Sequence, residues 1–171
     1  SVKAILETYE FDLIVFFSAG LRFQSTYPSD SEDLREVLQY SEKLHKNSKV
    51  LYLSPLDAAL KAKTDKAIMS SANEKLCEFY RQQYALDVKI VQIPYLYSGV
   101  CQKDFLYGIF ESMHNKKTVK IHEAASSKMH FLSLGDLSEL ISRIVENWTV
   151  GSGVLSVGDE FSVTFADLAD K

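Results

Sequence analysis

A chain of 171 residues, 46% of them hydrophobic and 25% charged, carries enough apolar material for one folded domain. Its 19 basic and 23 acidic side chains leave a net charge of −4, which argues against a general nucleic-acid binder, because such proteins show a basic patch or stripe. No apolar run approaches the roughly 18–20 residues that span a bilayer, so direct membrane insertion by this chain is not expected.

The first residues, Ser1-Val2-Lys3-Ala4-Ile5-Leu6, read as helix and not as a secretory leader. A chain opening inside a helix is expected to be part of a larger protein. Residues 2–9 lead into Phe11-Asp12-Leu13-Ile14-Val15-Phe16-Phe17, whose near-continuous apolar character predicts a strand covered on both faces. Ser18-Ala19-Gly20 ends it. Residues 21–31 are polar, contain Pro28, and close in Ser29-Asp30-Ser31, a helix cap. Leu34, Val37, Leu38 and Leu44 then recur at helical spacing over 32–46.

Lys49-Val50-Leu51-Tyr52-Leu53 predicts a second buried strand, stopped by Ser54-Pro55. Residues 64–85 predict a long helix with Ile68, Ala72, Leu76, Phe79 and Tyr80 inward. A third strand runs from Asp87 to Ile93, with the aromatic rim Tyr95-Leu96-Tyr97 at its carboxyl end. Helix is expected over 102–114, and Asn115-Lys116-Lys117 after it reads as a solvated loop. A short strand is expected over Thr118 to His122. A helix over Ser133 to Trp148 is entered through Leu134-Gly135-Asp136, with Asp136 as its cap. A last strand spans Val154 to Gly158, and a final helix begins at Thr164.

Strands alternating with helices of this length predict an α/β fold: a Rossmann-like three-layer sandwich with a mostly parallel sheet, incomplete or degenerate. No repeat or composition break divides it, so residues 1–171 are expected to form one domain. Cys77 and Cys101 make no C-x-x-C pair, which leaves free thiols in a reducing, cytoplasmic setting as the expectation. The histidines at 45, 114, 122 and 130 have no metal-ligand spacing, although His122 and His130 could approach across a turn.

The order of these pieces resembles the extended short-chain dehydrogenase/reductases, the NAD-dependent epimerase/dehydratase family acting on nucleotide sugars. Phe11 to Gly20 is similar to the family strand D-x-V-x-H-x-A-A, and Lys49 to Ser54 to the strand ending in a Ser-Ser pair. Glu74, with Phe79-Tyr80 and Tyr84-Ala85-Leu86, is similar to the K-x-x-x-E helix and its ending. Pro94 to Gly99 is similar to R-P-x-x-V-Y-G, His130 to Leu137 to R-D-F-I-H-V-x-D-V, and Val154 to Gly158 to Y-N-V-G.

The resemblance implies a nicotinamide cofactor held by a Gly-rich strand–turn–helix, with a Tyr-x-x-x-Lys pair for proton transfer. This chain departs from both. Its seven glycines form no such turn; Gly151-Ser152-Gly153 follows a helix and precedes a strand, the reverse order. Anchored on Glu74, the tyrosine and lysine positions fall at Lys66 and Ser70, and residues 55–79 contain no tyrosine. The family's catalytic hydroxyl falls on Ser54 or on Pro55, depending on alignment, and its phosphate-binding arginine on Ile93.

No catalytic residue, cofactor or metal is therefore expected. Ser18, Ser54, Lys66, Tyr95 and Tyr97 are the residues of a vestigial pocket, or else ordinary polar ends of buried strands. Glu74 is a buried hydrogen-bonding group or a surface residue. The first expectation is an inactive interaction or regulatory module in a sugar-nucleotide or polysaccharide system. It would act as a homodimer or in contact with other domains of a larger protein, the helix at 64–85 offering the face. The alternatives are an enzyme whose cofactor-binding unit is absent from this chain, with Lys66 as base, and a nucleotide-sugar sensor.

Overall fold

The computed structural model describes residues 2–18, 29–43, 48–56, 65–98, 105–118, 128–149, 153–158, 162–164 and 166–167. The elements in chain order are α1 (Val2–Thr8), β1 (Leu13–Phe17), α2 (Ser29–Lys43), β2 (Lys49–Pro55), α3 (Asp65–Tyr84), β3 (Val88–Ile93), β4 (Tyr95–Tyr97), α4 (Phe105–His114), β5 (Lys128–Ser133), α5 (Leu134–Glu146), β6 (Val154–Ser156) and β7 (Ser162–Thr164). They fall into two compact units. The first holds Ser1–Gln92 with Thr149–Ser156, and the second Ile93–Trp148 with Val157–Lys171.

The first unit carries a sheet in the order β1-β2-β3-β6. β1 runs parallel to β2, with Ile14 beside Val50 and Phe16 beside Tyr52, and β3 runs parallel to β6. Successive right-handed crossovers that advance in one direction place their helices on one face. The core follows: Leu6 of α1, Leu34, Val37 and Leu38 of α2, and Cys77 and Tyr80 of α3 pack on Val50, Tyr52, Val88 and Ile90. Leu51, Leu53 and Val91, which alternation turns to the other face, are buried too. The apolar-rich sequences of β2 and β3 are thus those of strands covered on both faces.

β1 departs from that expectation. It is the outermost strand among the described residues; its first four residues are only half-buried and Phe17 is exposed. Its apolar sequence is that of an inner strand, but among the described residues only β2 flanks it.

Other boundaries shift for identifiable reasons. Ser29-Asp30-Ser31, expected as a cap, already belong to α2. β2 continues through Ser54 and Pro55, so that proline is its last residue and not its stop. In α3 the inward face is Ala67, Ser70, Asn73, Cys77 and Tyr80, while Ile68 is 60% and Phe79 49% exposed and Ala72 faces out as well. Of the residues expected inward, Leu76 and Tyr80 do pack on the core, while Ile68 and Phe79, with Met69, point away from the sheet.

The second unit has a sheet in the order β4-β5-β7, with β4 parallel and β7 antiparallel to β5. Tyr95–Tyr97 is therefore a strand of its own and not a rim on β3. Pro94 lies between the two and supplies no N–H to carry a ladder onward. β5 occupies residues where the periodicity showed no strand. α5 is capped by Ser133 and not by Asp136: the Asp136 N–H donates to Ser133 Oγ (3.0 Å), and that hydroxyl donates back to the Asp136 carboxylate (2.8 Å). The short strand expected at 118–122 lies almost wholly outside the described residues, as do Leu44, Cys101 and His122. His130, the other member of that pair, meets the carbonyl of Gly158 through its Nδ1.

Candidate functional site

The carboxyl ends of the parallel strands in the first unit converge on one polar cluster. Ser18 follows β1, Ser54 and Gln92 lie near the ends of β2 and β3, and Ser156 closes β6. From α3, Ser70, Asn73 and Glu74 sit one turn apart along the side of the helix that meets the sheet. This is the end of an open α/β sheet at which ligands bind in such folds.

The Glu74 carboxylate organises the cluster. It accepts a hydrogen bond from Ser54 Oγ (2.5 Å) and two from Gln92 Nε2 (3.1 and 3.0 Å). Ser156 Oγ donates to the other end of the same amide, Gln92 Oε1 (2.5 Å). One continuous chain of bonds ties β6 to β3, β3 to α3, and α3 to β2. Of the two readings open for Glu74, the hydrogen-bonded one holds. The Ser54 hydroxyl is directed onto α3.

Tyr52 lies under this cluster, fully buried. Burial is the main cause that pushes its phenol up to about 12; Ser18, Asn73 and Ser54 beside it work in the opposite direction. Its hydroxyl nonetheless makes no hydrogen bond of good geometry. Cys77, one turn beyond Asn73, is pushed up to about 12 by burial and then by Glu74 and Glu78. A phenol and a thiol held in their neutral forms are poor bases and poor nucleophiles at neutral pH.

Of the residues singled out from the sequence, Ser18 and Ser54 are both buried and both flank the Tyr52 hydroxyl. Lys66 stands in the first turn of α3, its side chain outside the described residues. Tyr95 and Tyr97 belong to the second unit. They share one face of β4, where Tyr95 packs on Phe131 with ring centroids 6.1 Å apart and Tyr97 is paired with Ser133. Sequence reasoning missed Gln92, Asn73, Tyr52 and Ser156. Gln92 had a legible signal, a lone amide in the apolar run Val88-Lys89-Ile90-Val91-Gln92-Ile93, since a buried amide needs partners. Among the described residues no group of three or more His, Cys, Asp or Glu is placed to hold a metal ion. No described helix is long and apolar enough to cross a membrane.

No protein-family profile and no curated protein sequence matches this chain. Solved structures do. The capsular polysaccharide assembling protein CapF of Staphylococcus aureus superposes with a TM-score of 0.69 at 20% identity, over 99% of this chain and 46% of that one. The dTDP-glucose 4,6-dehydratase of Bacillus anthracis, in complex with NAD, gives 0.78 at 12% identity, over 99% and 58%. UDP-glucuronic acid 4-epimerase of Bacillus cereus, also in complex with NAD, gives 0.76 at 11% identity, over 99% and 60%. The fold is that of the extended short-chain dehydrogenase/reductases. In this fold the chain spans about half to three-fifths of the length of the structures it matches.

Proposed function

We propose that this chain is a non-catalytic module of the extended short-chain dehydrogenase/reductase fold, serving protein interaction or regulation in sugar-nucleotide or polysaccharide synthesis in the cytoplasm. One observation carries the reading: α3 has no proton-transfer pair. The Ser54–Glu74 bond pins α3 against β2. In the alignment the resemblance gives, anchored on Glu74, the tyrosine position falls on Lys66 and the lysine position on Ser70, which is only 3% exposed. The residues present do not fit a nicotinamide dinucleotide either. The pyrophosphate needs a glycine turn between a strand and a helix N-terminus, and of the seven glycines only Gly20 falls in a strand-to-helix connection of the first unit.

The exposed stripe on α3 supports an interaction role. A soluble helix normally turns its large apolar residues inward, whereas α3 buries Leu76 and Tyr80 among small and polar side chains and leaves Ile68, Met69 and Phe79 outside. That face suits a second copy or another domain of a larger protein. The names of the structural neighbours support the setting, two of them acting on nucleotide sugars and one in capsule assembly.

Incubation of the purified protein with NAD or NADH and a panel of UDP- and dTDP-sugars tests the reading. No turnover is expected, and sustained oxidation or reduction of the nicotinamide would overturn it. A second reading rests on the length comparison: the cofactor-binding unit is supplied from outside these 171 residues and Lys66 acts as base. Saturable NAD binding by the protein together with such a unit, lost in Lys66→Met along with turnover, would favour it. Thermal stabilisation by a sugar nucleotide without turnover would instead identify a sensor.

A further inference from the structure

The chain passes between the two units three times, at Gln92–Ile93, Trp148–Thr149 and Ser156–Val157. β3 holds the first-unit end of each passage. Gln92 is itself the end of one. Its side chain is tied to Ser156, the end of another and its neighbour in the parallel ladder. Lys89 Nζ donates to the carbonyl of Thr149 (2.8 Å), where the chain re-enters the first unit. Both side chains are buried, and alternation puts them on opposite faces of β3. The return of the chain to the first unit is thus fastened at both ends, once on each face of the sheet.

The Gln92 fastening has a direction built into it. An ionised carboxylate only accepts hydrogen bonds. Both Glu74 oxygens take theirs from Gln92 Nε2 (3.1 and 3.0 Å). The amide must therefore turn its Oε1 to β6, and Ser156 must donate to it (2.5 Å). Reversed, the amide would set its carbonyl against the carboxylate. Glu74 thus fixes a bond in which it takes no part. We propose that Glu74–Gln92–Ser156 is a conformational latch, in which the Glu74 carboxylate holds the Gln92 amide in the one orientation that fastens β6 to β3. Without that carboxylate the amide rotates freely, its Oε1 leaves Ser156, and β6 retains its ladder and the Lys89 tie. Glu74 is only half-buried, so an incoming hydrogen-bond donor competes with Gln92 for it. In chain order β6 leads on to β7 of the second unit. A latch set in the polar cluster of the first unit thereby governs a connection to the second, whether or not the chain catalyses a reaction.

Native-state hydrogen exchange of the whole chain tests this, read at the amides of β6 and compared with those of β2. Ser156→Ala changes an exposed side chain and removes the last bond of the latch. It should speed exchange in β6 by roughly 2- to 12-fold, the net worth of one hydrogen bond, with β2 unchanged. Glu74→Met keeps the length of the side chain and removes the acceptor. It should speed β6 by a similar factor beyond whatever it does to β2, although Glu74 makes no bond to β6. The two effects share one relay, so the double variant should show no further gain in β6. In a Gln92→Leu background, Glu74→Met should no longer act on β6 selectively. A β6 unprotected in the wild type, or unaffected by Ser156→Ala, would overturn the proposal. So would equal acceleration of β6 and β2 in Glu74→Met, or effects of Glu74→Met and Ser156→Ala that simply multiply.

Discussion

Tyr52 and Glu74 sit in the same polar cluster and should respond to substitution in opposite ways. Glu74 accepts from Ser54 and Gln92 together. Glu74→Ala leaves two part-buried donors without an acceptor and is expected to cost about 2–6 kcal/mol, at roughly 1–3 kcal/mol for each such group. Tyr52→Phe removes a fully buried hydroxyl that makes no good hydrogen bond, so chemical denaturation should show a neutral or stabilised variant. The pH response follows from the same residues. Tyr52 rises from 10.0 and Cys77 from 9.0, both to about 12 in the folded chain. Their neutral forms contribute stability that is complete below pH 9 and is lost as pH climbs through 12. The wild type should begin to lose stability above pH 9, and Tyr52→Phe with Cys77→Ala should hold to a higher pH. Identical alkaline unfolding curves would contradict this. At the end of α3, Ala85 adopts φ 54°, a left-handed conformation in which a Cβ is strained. Ala85→Gly should therefore raise the denaturation midpoint by about 1 kcal/mol of stability.

At the level of elements, α3 is where sequence and structure part most clearly. Its length and position were legible, because the helical pattern from 64 to 85 is long and unbroken, and the helix spans Asp65–Tyr84. Its orientation was not. Reading Ile68, Ala72, Leu76, Phe79 and Tyr80 as inward assumes that the largest apolar face meets the sheet, and only Leu76 and Tyr80 do so. For the rest, the sheet takes Ala67, Ser70, Asn73 and Cys77, side chains small enough for close approach to β2, with Glu74 beside them to reach Ser54 and Gln92. Patterning counts apolar residues on a face, and it cannot tell burial against the chain's own sheet from burial against a partner. The candidate site was half legible for the same reason. Ser18 and Ser54 could be found as polar ends of apolar strands, while the side chains they meet come from distant positions that no local signal links. The orientation has a direct consequence. Phe79→Ser removes a half-exposed ring that meets Tyr80 and Tyr84 edge-on, so it should cost no more than about 1–2 kcal/mol of stability, whereas Leu38→Ala in the fully buried face of α2 should cost about 2–5 kcal/mol. If Phe79→Ser also destabilises by several kcal/mol in monomeric protein, the outward assignment of Phe79 is wrong.

Across the whole molecule, the burial of apolar side chains is uneven, and this sets an order of opening. Most of the largest fully buried side chains among the described residues lie in the first unit, Tyr52, Leu34, Leu38, Leu51, Leu53, Val50 and Val91, with Ile93 the large one in the second. Among the described side chains of the second unit, Ile109, Met129 and Leu137 are the buried apolar ones of its helices and of β5, and β4 is half-buried or exposed throughout. Local stability follows buried apolar contact and shielded backbone hydrogen bonds. Native-state hydrogen exchange should accordingly find the slowest amides in β2 and β3 and faster exchange in β5 and α5. Two substitutions confined to the second unit then distinguish independent opening from one cooperative transition. Ser133→Ala removes the α5 cap at a cost of about 1 kcal/mol. Gly158→Ala puts a Cβ 3.2 Å from Pro94 Cγ at a φ of 120°, a position strained for any other residue. Each should speed exchange in β5 and α5 while leaving β2 and β3 protected as before. Equal acceleration in all four elements would mean that the two units open together, and the difference in buried side chains would then have no bearing on how the chain unfolds.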